Sequence, residues 1–221
     1  MTEFPSAVNP VRAAVIPLWL KLAFAGFLAV LVPVYWHNYG PTNFLYFCDA
    51  SLFLTLLGIW LESPLLVSIP AVGIIGSQAL WVLDFVGGLL GLHLTGMTDY
   101  MFEPQRSLFL RGLSLFHGWL PFLLVFLVWK LGYDRRAMLL WTLLAWTLIG
   151  VCYAFMPPPS LSHGIAPVNI DYVYGLSDSE PQHWMSPHAW VALEMVALPL
   201  LLYWPVHYLL SRYFAAPAVA R

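Results

Sequence analysis

Long apolar stretches alternate with short polar breaks along this chain. Six stretches, 13–36, 43–61, 65–88, 108–130, 136–156 and 188–210, hold few charges. A helix needs about 20 apolar residues to cross a bilayer core of about 30 Å. Polar and apolar residues do not alternate within these stretches, as barrel strands require. Helices are then the form that pairs every backbone group in lipid. The pattern predicts an all-α polytopic transmembrane bundle of about six helices, one transmembrane domain over 1–221, with an outer cap loop at 157–187. The breaks agree. Asn38, Gly40 and Pro41 follow the first stretch, Glu62, Ser63 and Pro64 the second, and Tyr133 and Asp134 the fourth. Pro157, Pro158 and Pro159 end the fifth, because proline cannot continue the hydrogen-bond ladder. Tyr35, Trp36, Tyr100, Trp129, Tyr133 and Trp184 fall near stretch ends and are expected at headgroup level. No cleavable signal peptide is expected, since the first apolar run exceeds an h-region and no small-residue cleavage site follows.

Composition strengthens this picture. The chain is 61% hydrophobic and 9% charged, against about 25% charged in a soluble domain. A soluble globule and a disordered chain are both excluded. Nine Lys and Arg against eleven Asp and Glu give a net charge of −2, so nucleic acid is not an expected partner; membrane lipids are. Cys48 and Cys152 lie in apolar runs, unlike a disulfide framework. Lys and Arg set the orientation. Arg12, Lys130, Arg135, Arg136, Arg212 and Arg221 fall on the side of the termini, and Arg106 opposite, with Arg111 just inside the fourth stretch. Both termini are expected in the cytoplasm, in a multi-pass protein of the cell membrane, the inner membrane if the chain is bacterial.

Ionisable residues inside spans are costly and each is a functional candidate. Asp49, Asp84, Arg111, His117, Tyr153 and Glu194 all fall in the outer half of their spans, and the inner half is almost wholly apolar. This segregation predicts a polar cavity open to the outer face, capped by the 157–187 loop with His163, Asn169, Asp171, Tyr172 and Tyr174. A plainer reading pairs Asp49 or Asp84 with Arg111 as glue between helices. Lys21 is expected to snorkel or to pair with an acid. Cys48 shares a helix face with Ser51, Thr55 and Gly58, which suits a close helix seam. It also suits a nucleophile, with His117 and Arg111 at comparable depth. Gly87 and Gly91 form a lone G-x-x-x-G, a weak packing signal. His163, His183 and His188 match no tight metal spacing, so neither metal nor cofactor is expected.

The stretch His37–Asp49 resembles the approach to the second span in a group of bacterial integral membrane proteins described only as membrane-associated. The likeness continues through Trp81–Phe85, Leu113–His117 and Asn169–Gly175. More distantly, the order Cys48, His117, Asn169 is similar to the YwaF-like integral membrane family and its acyltransferase relatives. That resemblance implies chemistry on lipid acyl groups, by transfer or hydrolysis. Cys48 would attack the ester, His117 would be its base, and Asp49 or Asp84 would orient His117. Arg111 would hold a lipid phosphate, with Asn169, Tyr172, Glu194 and Tyr153 lining the substrate site. Two other readings stand beside it: a non-catalytic scaffold or lipid-binding subunit, and a transporter. Against the transporter, whose sites lie near the midplane and which often shows repeats or broken helices, the polar residues favour one side and no repeat is visible.

Overall fold

A computed structural model describes residues 15–92, 94–162 and 164–214. His93 and His163 lie outside the described residues, as do Arg12 and Arg221. Eight α-helices follow one another: α1 (Leu18–Tyr39), α2 (Phe47–Leu61), α3 (Pro64–Leu89), α4 (Leu108–Ser114), α5 (Phe116–Leu131), α6 (Ala137–Phe155), α7 (Pro187–Ala197) and α8 (Trp204–Tyr213). α4 and α5 form one span, interrupted at Leu115. α7 and α8 form another, joined by a π-helical segment, Leu198–Tyr203. Five helical spans are long and apolar enough to cross a membrane, and α2 is a sixth, shorter apolar helix. The protein is a polytopic helical membrane bundle.

Local chemistry explains the element boundaries. Ser63, Ser107 and Ser186 cap α3, α4 and α7 by accepting the N–H groups of Leu66, Leu110 and Ala189. Pro64 and Pro187 occupy the first helical position, where a missing N–H costs nothing. Gly40 and Gly132 end α1 and α5 at positive φ.

α3 is the most buried span and packs against α2, α5, α6 and α8. Two glycines allow this. A Cβ on Gly58 would meet Val67 Cγ1 at 2.7 Å, which fits the small-residue seam expected on that face of α2. A Cβ on Gly73 would collide with the Trp141 ring. Gly91 lies past the end of α3 at positive φ, so Gly87 and Gly91 are no helix-packing pair. The outside is apolar, with Leu108, Phe122 and Phe155 each more than three-quarters exposed.

The turn at 62–63, the turn at 132–136 and both described ends gather at one end of the bundle, here the terminal end. Val15 binds Glu62, Tyr133 binds Phe214, and Asp134 binds Ser68. The opposite loop end carries 90–107 and 156–186.

The aromatic expectation divides in half. Trp36, Trp129 and Trp184 are exposed. Tyr35, Tyr100 and Tyr133 turn inward, because each hydroxyl finds a partner there: Ser114, Trp81 and His207.

Lys21 pairs with Glu62 at 2.8 Å, and Glu62 also accepts the N–H groups of Val15 and Ile16. Burial alone would raise the Glu62 carboxyl, but these three bonds outweigh it and hold the group below its ordinary range. The stabilisation is therefore complete above the unfolded carboxyl value, near 4.3, and fades as pH falls through the lower folded value. Glu62→Gln is expected to cost about 1–3 kcal/mol at pH 7. In thermal melts of the purified protein, the gap to wild type should close below about pH 4.

Candidate active site

α2 determines where the site forms. At about 1.5 Å per residue it is about 22 Å long, against about 33 Å for α1. Its terminal-end turn sits level with the bundle, so its first turn is recessed below the loop end. Two 3₁₀ turns fill the recess: Pro41–Leu45, which leads into α2, and Ile170–Tyr172, from the cap loop. Ile170 and Val173 are fully buried against Ile149 and Cys152 of α6. Asp171 Oδ1 accepts the Phe47 N–H at 3.0 Å, an N-cap supplied from 124 residues away. Burial pushes the Asp171 carboxyl well above its ordinary range, against the opposing pull of that bond.

The plug is backbone-strained. Asn169, Asp171 and Tyr172 all have φ between 48° and 65°, at a cost of order 1–3 kcal/mol each. A dense set of bonds holds them. The Asn169 amide donates to Gly175 O and Ser177 O and accepts from Tyr174 N. Tyr174 OH donates to Tyr153 O, and Trp190 Nε1 to Tyr172 O. Asn169 therefore braces the cap loop. The Tyr153 hydroxyl bonds His188 Nδ1 at 2.9 Å, at the bundle's exposed edge.

On the floor of the recess stands Cys48, second residue of α2. Its thiol donates weakly to Asp49 Oδ2 at 3.8 Å, and Asn43 Nδ2 donates to the same oxygen at 3.1 Å. Asp49 lies in the first turn of α2, since the helix begins at Phe47 rather than at 43. Tyr100 OH accepts Trp81 Nε1–H at 3.1 Å, and Trp81 stacks on His117 with ring centroids 4.9 Å apart. Tyr35 OH and Ser114 Oγ share a hydrogen bond of 2.8 Å beside them.

His117 has a defined tautomer. Its Nδ1 lies 2.6 Å from the Ser114 backbone carbonyl, which can only accept. Nδ1 therefore carries the proton, and in the neutral ring Nε2 keeps a free lone pair. The orienting group is this carbonyl, so the sequence expectation of Asp84 or Asp49 in that role is corrected.

Two further site expectations change. Asp84 accepts four hydrogen bonds, from the N–H and Oγ1 of both Thr95 and Thr98, at 2.7–2.8 Å. Arg111 donates to Arg106 O and Met101 O. Neither pairs with the other, and Asp49 is bonded to Asn43 and Cys48, so the ionic glue expected between Arg111 and a carboxylate is replaced by loop anchoring. Both residues grip 95–106, the segment that delivers Tyr100. Sequence reading missed Tyr35, Trp81, Tyr100 and Ser114. Their sole signal was an aromatic or hydroxyl group near a span end, which lipid-facing residues share.

Among the described residues, no group of three or more His, Cys, Asp and Glu is placed to hold a metal ion. No family model, curated protein or solved structure matches the chain.

Asp84→Ala leaves the buried N–H and hydroxyl of Thr98 without their acceptor. We expect a loss of about 1–3 kcal/mol, together with faster limited proteolysis inside 90–107. Unchanged melting and cleavage would show that the loop is anchored by other means.

Proposed function

We propose that this protein is a membrane-embedded enzyme acting on lipid acyl groups, with Cys48 as nucleophile and His117 Nε2 as base. The fixed His117 tautomer is the observation that carries this reading. A ring held by a backbone carbonyl at Nδ1 offers a lone pair at Nε2 whatever its neighbours do, as a general base requires.

In the proposed reaction the Cys48 thiol proton passes to His117 Nε2. The thiolate attacks the ester carbonyl carbon, the carbon–oxygen bond to the lysolipid breaks, and the departing oxygen takes the proton from His117. Water or an acceptor hydroxyl then releases the acyl group from sulfur, again giving its proton to His117. Tyr100, whose hydroxyl accepts from Trp81 Nε1 and keeps its own proton to donate, is the group we assign to the developing oxyanion. The order Cys48, His117, Asn169 shared with acyltransferase relatives of the YwaF-like family supports the same chemistry, with Asn169 recast as a brace. The Lys and Arg bias supports a recess facing away from the cytoplasm, into the headgroup layer where ester bonds lie.

A second reading, a transporter, draws on the broken elements: a short α2, the interruption at Leu115 and the π-segment.

Vesicles of mixed phospholipids with fluorescent acyl chains, carrying the reconstituted protein, test the proposal. Cys48→Ala should abolish release or transfer of the fluorophore, and His117→Ala should lower it by about 10²–10⁴. An electrophilic lipid analogue should label Cys48 quickly in wild type and slowly in His117→Ala. Labelling indifferent to His117 would sink the assignment.

A further inference from the structure

Positive charge is compensated at the loop end of the bundle and left over at the terminal end. Seven Lys and Arg side chains lie among the described residues. Lys21 is paired with Glu62, Arg106 with Glu103 and Arg136 with Asp134. Arg111 is bound to two backbone carbonyls. Lys130, Arg135 and Arg212 remain, all three exposed, all at the terminal end, and without an ion pair among the described residues. The described carboxylates at that end are already taken. Glu62 holds Lys21 and two N–H groups, and Asp134 takes three contacts of 2.7–3.2 Å from the Arg136 guanidinium.

Two elements bring the three cations together. Lys130 stands in the last turn of α5, Arg135 in the turn that follows, and Arg212 in the last turn of α8. Tyr133, between the first two, donates its N–H to Phe214 O at 2.6 Å, and its hydroxyl meets His207 Nδ1 at 2.8 Å. The turn is thus clamped to the end of α8. Arg135 and Arg212 each lie two residues from one end of the Tyr133–Phe214 bond, no more than about 8 Å of backbone on either side. An independent observation sets the level of this patch. Trp19 of α1, Trp60 of α2, Trp129 of α5 and Tyr213 of α8 are exposed, each in the end turn of its helix at the same end of the bundle. Such a belt of aromatic side chains marks the headgroup layer. Lys130 Nζ stands 4.4 Å from the Trp129 ring centroid, which steadies the ammonium without neutralising it.

We propose that the α5–α6 turn and the end of α8 form a docking surface for anionic phospholipid in the leaflet at the terminal end. Fixed cations at headgroup level attract headgroups of the opposite sign. A guanidinium grips a phosphodiester through two parallel N–H donors, and the Lys130 ammonium acts on it as a point charge. A zwitterionic headgroup carries the same phosphate together with a cation that cancels it, so net charge makes the choice. The Asp134–Arg136 pair sets the strength of the surface, because the carboxylate withholds a fourth cation from it. This surface lies at the opposite end of the bundle from Cys48 and does not depend on the acyl-transfer reading.

Native mass spectrometry of the purified full chain, equilibrated with equal amounts of phosphatidylglycerol and phosphatidylcholine of identical acyl chains, provides the test. Wild type should prefer phosphatidylglycerol, and the preference should shrink as ammonium acetate is raised. Lys130→Gln, Arg135→Gln and Arg212→Gln should each lower phosphatidylglycerol retention about five-fold, and the triple variant about a hundred-fold. Phosphatidylcholine retention should not change. The three side chains are exposed, so these variants should melt like wild type. Asp134→Asn should act in the opposite sense. It releases Arg136 and should raise phosphatidylglycerol retention about five-fold, a gain that damage to the fold would not produce. Equal retention of the two lipids by wild type would overturn the proposal. So would a triple variant that melts like wild type and keeps the preference, or a fall in retention in an Asp134→Asn protein that melts like wild type. Complete displacement of the lipid by an equal concentration of inorganic phosphate would overturn the lipid assignment in favour of a free anion.

Discussion

The first N–H groups of α2 lie inside the bundle, where no water reaches them freely, and one is satisfied by a carboxyl from the far end of the chain. The Asp171–Phe47 hydrogen bond is the contact on which the rest of the loop end depends. A fifteen-residue helix is too short to span the hydrocarbon core, so the chain above it must be filled with protein. Non-helical backbone is tolerated at that depth only when buried by other protein. Ile170 and Val173 supply the burial, and Asp171 supplies the cap. The strain at Asn169, Asp171 and Tyr172 follows from the same demand, because an extended loop could not turn its carboxyl onto the helix end in so few residues.

A second constraint governs the other side of the recess. Asp84 and Arg111 are the charges that a membrane protein would be expected to use in chemistry or in pairing. Here each holds one flank of 95–106, through backbone groups and, for Asp84, threonine hydroxyls rather than through each other. Four hydrogen bonds to one carboxylate hold the loop that presents Tyr100 to Trp81. Anchoring charges and the groups we propose to react are thus separate sets, both at the loop end. A depth argument alone merges them.

The short α2 leaves a gap at the loop end that protein itself fills. The Pro41–Leu45 and Ile170–Tyr172 turns pack above its first turn, and Asp171 closes that turn from the cap loop. His117 and its stack with Trp81 belong to α5 and α3, and Glu194 to α7.

The sequence by itself determined the bundle, its six apolar elements and nearly every break, because span length and proline or glycine punctuation are local properties. It also determined that polar groups crowd one end, since depth along a helix is a count of residues. Tertiary structure decided which of them meet. Asp84 and Arg111 look like site residues by depth and are loop anchors. Asn169 looks like a ligand and is a brace. Tyr35 and Tyr100 look like interfacial aromatics and join the site. The length of α2 was misread by four residues, because Phe44, Leu45 and Tyr46 carry the apolar run unbroken from the turn into the helix. Hydrophobicity reports burial, and burial is the same for a helix and for a 3₁₀ turn packed inside protein. Partners are fixed by direction around each helix and by loops that fold back across more than a hundred residues, and no local pattern encodes those.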